Sequence, residues 1–138
     1  MRIGELAVRS GVRVRTIRFY EQAGLLPAPR RTPGGLREYD DEAVTRLRFV
    51  RAAQALGLSL AQITEVLRVR DRVGPPCEHV AELLRDHIAA VEARIRELTA
   101  LRDDLRARVP PAMVPDTGRC HPDHVCYLIE DTPSDILR

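Results

Sequence analysis

Apolar residues recur at helical spacing along most of this chain, and the periodic stretches are interrupted at glycine and proline. Ile3, Leu6 and Ala7 predict a short first helix that closes at Gly11, and a second helix is expected to begin near Val14. Two short helices joined by a tight glycine turn are typical of a helix-turn-helix, whose second helix enters the DNA major groove. The N-terminal residues therefore predict a DNA-binding motif.

The second helix is the candidate recognition element. Its spacing turns Ile17 toward the core and three side chains toward DNA, namely Arg15, Thr16 and Arg18. Gly24 is expected to end the helix, and prolines at 27, 29 and 33 forbid another helix directly after it. The basic segment 30–39 can then form a small β-hairpin, which would act as a wing beside the recognition helix.

Two further helices complete the predicted N-terminal domain. The first runs from about Asp41 to Leu56 and ends at a glycine. Ser59 followed three residues later by Gln62 predicts a capping box that starts the next helix. The two helices are expected to bury six residues: Val44, Leu47, Val50, Ile63, Val66 and Leu67.

A long uninterrupted helix is predicted from Glu78 to about Arg106, after a Gly74-Pro75-Pro76 hinge. Apolar residues recur along it in alternating steps of three and four, and Arg102 is the one charged residue in the series. We call the following residues the apolar stripe: Ala81, Leu84, Ile88, Val91, Ile95, Leu98 and Leu105. This spacing is typical of a coiled coil, which needs a partner helix that the rest of the chain does not supply. The need for a partner helix favours a homodimer. His79 and His87 are expected to be exposed on the helix surface.

Composition and charge agree with a compact DNA-binding protein. The 138 residues, 44% hydrophobic and 30% charged, fit one small domain with a helical extension. All 22 basic residues are arginine, and each can make planar bidentate contacts to phosphate or guanine. Residues 1–51 carry a net charge of +5, whereas residues 52–138 carry −3. No apolar run is long enough to span a bilayer and no signal segment is evident, which favours a cytoplasmic protein without a membrane partner.

Three cysteines supply the candidate chemistry. An odd number of cysteines in a reducing compartment argues against a disulfide framework and leaves metal binding or redox chemistry open. Cys120 and Cys126 enclose five residues in an irregular segment that follows Val109-Pro110-Pro111, and a short helical turn can follow at 127–130. The last eight residues look frayed. A four-cysteine iron-sulfur cluster is excluded by count within one chain.

The side chains available as ligands limit which metal ions the protein is expected to bind. Thiolates are soft ligands that suit zinc, cadmium, lead or mercury, and imidazole from His121 or His124 would favour zinc.

A helix of about 29 residues is ~43 Å long, so Cys77 and the C-terminal loop of one chain are expected at opposite ends of it. About twelve residues between Arg108 and Cys120 could span ~40 Å only if fully stretched.

Several motifs together resemble the MerR family of metal-responsive transcription regulators. They are Ile3-Gly4-Glu5-Leu6-Ala7, Thr16-Ile17-Arg18-Phe19-Tyr20-Glu21, Gly24-Leu25-Leu26, Arg37-Glu38-Tyr39 and the segment from Leu56 to Ile63. The resemblance covers essentially the whole chain. It implies that Arg15, Thr16, Arg18 and Tyr20 contact DNA from the recognition helix, with Arg37 and Tyr39 acting at the wing. Phe19 and Leu36 depart from the pattern, because relatives often carry tyrosine at both positions.

The resemblance also implies a sensing mechanism. The arrangement of Cys77, Cys120 and Cys126 resembles the divalent-metal branch of the family, although the loop between the last two cysteines is shorter than in those relatives. The dimerisation helices would run antiparallel, so that Cys77 of one subunit meets the loop of the other. The dimer would occupy double-stranded operator DNA at a promoter with an overlong spacer. On metal binding it would distort that DNA so that RNA polymerase holoenzyme engages both promoter elements.

The predicted fold class is all-α with a small β-hairpin wing. Its parts are a winged helix-turn-helix domain (1–73), a hinge with a dimerisation coiled-coil helix (74–109), and a C-terminal metal-binding loop and tail (110–138). A second hypothesis keeps the DNA binding but makes Cys120 and Cys126 a thiol-redox switch that responds to oxidant without metal. A thiol enzyme is disfavoured because no phosphate loop, Ser/His/Asp set or buried carboxylate pair is evident.

Overall fold

The computed structural model describes residues 1–137 as a largely helical chain with one small hairpin. Its elements are α1 (Ile3–Ser10), α2 (Val14–Gln22), β1 (Arg30–Arg31), β2 (Arg37–Glu38), α3 (Asp41–Ala55), α4 (Leu60–Arg72), α5 (Cys77–Arg108), a 3-10 turn (Thr117–Arg119), α6 (Tyr127–Glu130) and α7 (Pro133–Ile136). The predicted fold class is confirmed. The chain divides into two compact units, Met1–His87 and Ile88–Arg138. The boundaries expected from the sequence, at the hinge and before the loop, remain a prediction.

The helix boundaries in the first unit follow local capping signals. Gly11 ends α1 in the left-handed conformation, with φ 71°, and its N–H donates to Ala7 O. The predicted capping box at the start of α4 is confirmed, because Ser59 Oγ accepts from Gln62 N at 3.1 Å and Gln62 Oε1 accepts from Ser59 N at 2.9 Å. Asp40 caps α3 by accepting a hydrogen bond from Ala43 N.

The apolar faces of α1 to α4 meet in one core. The fully buried side chains are Leu6, Ile17, Leu25, Leu47, Val50, Ile63 and Val66. All six residues predicted to face inward from α3 and α4 are buried. The helical spacing of apolar residues was therefore sufficient to identify the core face of both helices.

Among residues 1–137, a single arginine is buried beside this core. Arg46 is 5% exposed; its Nε donates to Leu25 O at 3.1 Å, and its guanidinium contacts both carboxylate oxygens of Asp71 at 2.9 and 3.1 Å. The guanidinium thereby joins α3 to the segment after α2 and to the last turn of α4. Asp71 is half-exposed, so water still solvates one side of the ion pair.

The first turns of α5 belong to the same unit. Leu83 packs against the core, and the His87 ring lies so close to Gly57 that a Cβ there would overlap Nε2. Gly57 also has a φ of 88°, which favours glycine on its own account. His79 and His87 are half-buried rather than exposed as expected, because this face of α5 packs on the domain.

The rest of α5 carries its apolar residues unpaired. From Ile88 to Leu105 the members of the apolar stripe are between 48% and 57% exposed, and no residue of α5 is buried within the described chain. None of the helices in residues 1–137 is both long enough and apolar enough to cross a lipid bilayer.

The described part of the second unit carries two short helices after the cysteines. The expected helical turn after Cys126 is α6, and its first residue, Tyr127, is buried. The expectation that the last eight residues are frayed is wrong for residues 131–137, because α7 forms there and buries Ile136. The last of the eight, Arg138, lies outside the described residues. Thr132 caps α7 and Pro133 occupies its first turn, a local signal that was present in the sequence.

Candidate nucleic-acid interface and cysteine loop

The recognition helix α2 presents its arginines to solvent as predicted. Arg15 and Arg18 are exposed one turn apart, Thr16 is half-buried, and Ile17 is completely buried. Residues three apart lie on the same helix face, so the two guanidiniums share one surface. This placement is compatible with the predicted DNA contacts of these residues.

The wing is a two-stranded antiparallel hairpin. Arg30 pairs with Glu38, and Arg31 pairs with Arg37. The Arg31 guanidinium donates to Gly35 O at 2.9 Å and so braces the turn. Gly35 has a φ of 82°, which the tight turn requires. The wing therefore presents arginine side chains on a short hairpin with a braced tip.

A carboxylate in the last turn of α2 ties the wing to the recognition helix. Tyr39 Oη donates a hydrogen bond to Glu21, and Arg37 Nε lies 3.5 Å from the other oxygen of that carboxylate. Burial, the hydrogen bond to Glu21 and the negative charge of Glu21 together raise the pKa of Tyr39 to about 12. One acidic side chain thus fixes the base of the wing against the helix that precedes it.

Two of the six candidate DNA-binding residues lie in the domain core rather than on its surface. Tyr20 is 5% exposed and donates to Gln54 Oε1 at 3.1 Å, while Tyr39 is 6% exposed and bound to Glu21. Tyr20 is one turn from Ile17 on the buried side of α2, which explains why it packs inward. The structure therefore indicates that both tyrosines position the recognition helix and the wing.

Two arginines that the sequence pattern did not single out lie beside the predicted contacts. A depression of about 280 Å³ is lined by Arg2, Arg18, Arg31 and Arg37 together with Ile3, Gly35 and Leu36. Arg2 precedes α1 and Arg31 lies in β1, so only the folding of the wing against α1 and α2 brings the four arginines to one depression. The net positive charge of residues 1–51 was the one feature of the sequence that pointed to Arg2 and Arg31 as part of this surface.

The cysteine loop, residues 120–126, is held at both ends. Cys120 directly follows the 3-10 turn, and Cys126 is the N-cap of α6. Both thiols are free and half-buried. Cys126 N donates to Glu130 Oε2 at 2.7 Å, so the backbone of the second cysteine is fixed by a side chain that no sequence motif had marked.

Two imidazoles lie within the same loop. The rings of His121 and His124 are 5.9 Å apart between centroids, and His124 N donates to His121 O at 2.9 Å in a tight turn. Two imidazoles on one tetrahedral ion, with metal–nitrogen distances of about 2.0–2.1 Å, would place their centroids ~5 Å apart. The loop therefore carries donor types that suit a thiophilic or borderline metal ion, with the two imidazoles farther apart than a shared ion would place them.

Cys77 lies apart from the loop in sequence and begins α5. Its thiol is free and exposed. It borders an apolar groove of about 540 Å³ in the first unit, lined by residues that include Phe49, Leu67, Val80 and Leu84. Within residues 1–137, no three His, Cys, Asp or Glu side chains of one chain are arranged to hold a metal ion.

Comparisons with known proteins give a consistent family. Residues 1–69 match the family described as MerR HTH family regulatory protein, and residues 44–108 match the family described as MerR, DNA binding. The chain is 41% identical over 102 residues to an HTH-type transcriptional regulator ZntR homolog of Haemophilus influenzae, which covers 74% of this chain and 76% of that protein. This chain belongs to the MerR family.

Two solved MerR-type structures resemble this MerR-family chain along most of its length. The transcription regulator PbrR691 from Ralstonia metallidurans CH34, in complex with lead(II), has a TM-score of 0.75 and 38% identity over 87% of this chain and 94% of that one. The dual function transcriptional regulator MerR from Bacillus megaterium MB1, in complex with mercury(II), has a TM-score of 0.63 and 30% identity over 94% and 97%. The MerR family consists of DNA-binding transcription regulators rather than enzymes.

Because Tyr39 contacts Glu21, the stability of this MerR-family protein is expected to fall at high pH. Because the folded-state pKa of Tyr39 is about 12 against an ordinary value of 10.0, neutral Tyr39 stabilises the fold fully below pH 10. We expect this contribution to disappear as pH rises from 10 to about 12. Denaturant unfolding should show Tyr39→Phe less stable than the native chain at pH 9, with the difference shrinking toward pH 12. A tyrosinate absorbance that is absent from Tyr39→Phe but titrates near pH 10 in the native chain would contradict the assignment.

Proposed function

We propose that this MerR-family protein is a metal-responsive transcription regulator that binds promoter DNA as a homodimer and responds to a divalent soft metal ion. One observation carries the proposal. The cysteine loop holds two free, half-buried thiols and two neighbouring imidazoles. Two solved structures that are similar to this chain contain lead(II) and mercury(II). Its donor atoms match the ligands that such ions prefer.

The DNA interface is proposed to combine base contacts from α2 with phosphate contacts from the four-arginine depression. Arg15 and Thr16 at the start of α2 are the candidates for base contacts, because the first residues of a recognition helix lie nearest the base edges. Arg18 and Arg37, joined by Arg2 and Arg31, are the candidates for phosphate contacts. Tyr20 and Tyr39 support this surface from beneath.

The homodimer is proposed to form along α5. The exposed members of the apolar stripe need a partner, and a second copy of the same helix supplies matching apolar residues at the same spacing. A two-fold symmetric pair buries the same surface on both subunits. In the antiparallel arrangement that the resemblance implies, the N-terminal end of one α5 lies beside the C-terminal end of the other.

The metal site is proposed to be shared between subunits. Cys77 of one subunit would join Cys120 and Cys126 of the other, with His121 and His124 as further candidate ligands. A predicted helix of about 29 residues, ~43 Å long, lies between Cys77 and the loop in the sequence, and this favours a site completed by the partner. Zinc is the favoured ion because imidazoles are at hand, with cadmium, lead or mercury as alternatives.

The proposed response is a change in the shape of the promoter. When bound, the metal ion would crosslink the two subunits through thiolates. The consequence would be a changed placement of the two recognition helices, each held rigidly to its wing by Glu21. Distorting a site of 20–30 bp costs on the order of 1–6 kcal/mol, so the preferred dimer geometry must favour the distorted complex by a similar amount. RNA polymerase holoenzyme would then engage both elements of an overlong promoter.

A thiol-redox response remains the second candidate. It is favoured by the two free thiols of Cys120 and Cys126 in one loop. Metal analysis of the purified protein with and without reductant separates the two functions. A protein that binds no thiophilic metal when fully reduced, but changes its DNA complex on oxidation, would support the redox switch.

The phosphate contacts predict a specific salt dependence. Arg18→Ala and Arg2→Ala should each weaken binding to all DNA sequences, and flatten the plot of log affinity against log salt by roughly one unit for each phosphate that is no longer neutralised. Arg68→Ala, which removes an exposed arginine paired with Glu65 on α4, is the control. Arg15→Ala should instead relax base preference at one position per half-site by about 1–3 kcal/mol. Unchanged slopes for both phosphate-site variants would remove these arginines from the interface.

The proposed activation mechanism predicts that metal changes promoter output far more than operator occupancy. Footprinting and run-off transcription on the same promoter, with zinc or cadmium added, measure both quantities. We expect a similar footprint with a changed pattern of cleavage at the centre of the operator, together with a large rise in transcript. Release of the protein from DNA on adding metal would contradict the activator model.

The shared metal site predicts complementation between two defective subunits. One subunit carries Cys77→Ser, and the other carries Cys120→Ser with Cys126→Ser. If the site is built across the dimer, a heterodimer selected by two different tags retains one complete site and binds about one metal ion with near-native affinity. Both mutant homodimers should bind poorly, because a missing thiolate has no equivalent replacement. Heterodimer binding no better than either homodimer would exclude the shared site.

A further inference from the structure

The helix that follows Cys126 is too short to be stable alone. Helix α6 has four residues, Tyr127–Glu130, and one turn of isolated helix is strongly disfavoured because nucleation fixes several dihedral angles for one hydrogen bond. Its stability, and with it the position of its N-cap Cys126, must come from side chains packed around it. Charged residues hold both of its ends.

At the N-terminal end, Glu130 folds back onto the cysteine backbone. Its Oε2 accepts from Val125 N and from Cys126 N, each at 2.7 Å. Cys126 O in turn accepts from Ile129 N at 3.2 Å and Glu130 N at 3.1 Å. Both backbone polar groups of Cys126 are therefore satisfied within α6, which ties the backbone of this cysteine to the helix.

At the C-terminal end, the last residue of α5 reaches across to the carbonyls of α6. One nitrogen of the Arg108 guanidinium contacts Leu128 O, Ile129 O and Asp131 O at 3.1, 2.7 and 2.8 Å. Its Nε donates to Asp104 Oδ1 at 3.1 Å, one turn back on α5. The Arg108 side chain is only 21% exposed, and its positive charge lies where the carbonyl end of a helix favours a cation.

We propose that Arg108 is a positioning residue for Cys126, which fixes the second cysteine of the loop to the end of the dimerisation helix. The proposal deepens the proposed metal response and rests on it for the identity of the ligand. A shift of Cys126 on binding is carried by α6 to the guanidinium, and from there to α5. In the reverse direction, the geometry of α5 determines where the Cys126 thiolate is offered to a metal ion.

Other contacts keep the second unit folded without this arginine. Tyr127 is buried, its hydroxyl accepts from Asp116 N at 3.0 Å, and the Arg119 guanidinium stacks over its ring at 4.6 Å. Arg119 also donates to Ile136 O at 2.7 Å at the end of α7. Removal of the Arg108 guanidinium is therefore expected to loosen α6 rather than unfold the unit.

The test compares Arg108→Gln with Arg106→Gln in the full-length protein. Arg106 lies two residues earlier on the same helix and is exposed, which makes it a control for charge and helix propensity. In metal-free protein, we expect amides of residues 125–131 to exchange about tenfold faster in Arg108→Gln, with Cys126 alkylated faster by iodoacetamide than in the control. Arg108→Lys, which keeps the charge but not the planar fork, should restore part of the protection.

The second measurement uses cadmium as the probe. The thiolate-to-cadmium absorption band reports coordination directly, and we expect Arg108→Gln to weaken cadmium binding by about 10–100-fold while metal-free DNA affinity is unchanged. Equal cadmium affinity and equal exchange rates in Arg108→Gln and Arg106→Gln would overturn the proposal. If the native protein binds no cadmium, the metal function fails, but exchange and alkylation still decide whether Arg108 positions Cys126.

Discussion

The buried guanidinium of Arg46 is the constraint on which the DNA-binding unit depends. A charge removed from water is costly unless hydrogen bonds and a counter-ion compensate it, and Leu25 O and Asp71 provide both. These two partners lie on different segments, so satisfying the guanidinium fixes the end of the recognition motif and the end of α4 relative to α3. A purely apolar contact at this place would specify those positions less sharply, because apolar contacts are non-directional.

The same logic recurs at the protein surface proposed to meet DNA. Glu21 holds Tyr39 and Arg37 together, so that the recognition helix and the wing are fixed by directional contacts as well as by packing. A DNA-binding protein benefits from such rigidity because less conformational entropy is lost on binding. The arginines that remain exposed on this surface are thus presented by a framework in which Glu21 is already paired with Tyr39 and Arg37.

The second unit likewise combines backbone groups that are already hydrogen-bonded with thiols that are proposed as metal ligands. Arg108, Glu130 and Arg119 satisfy backbone groups at the end of the cysteine loop and after it, whereas the thiols remain free. The apolar stripe of α5 is the surface proposed to receive a second copy. A sensor of this kind needs both properties, since a ligand can shift a dimer only through elements rigid enough to carry the shift.

The sequence by itself determined the features that depend on neighbours along the chain. The capping box at Ser59, the glycine stop at Gly11 and the inward faces of α3 and α4 are local, because caps and helical periodicity involve residues within a few positions of one another. The helix at 133–136 was equally local, since its Thr-Pro signal stands in the sequence, although the expectation of a frayed end disregarded it. Only the tertiary structure decided that Tyr39 is buried against Glu21, that Arg2 joins Arg18 in one depression, and that Arg108 reaches α6. These arrangements depend on contacts between segments distant in sequence, and no periodicity within a single helix specifies such contacts.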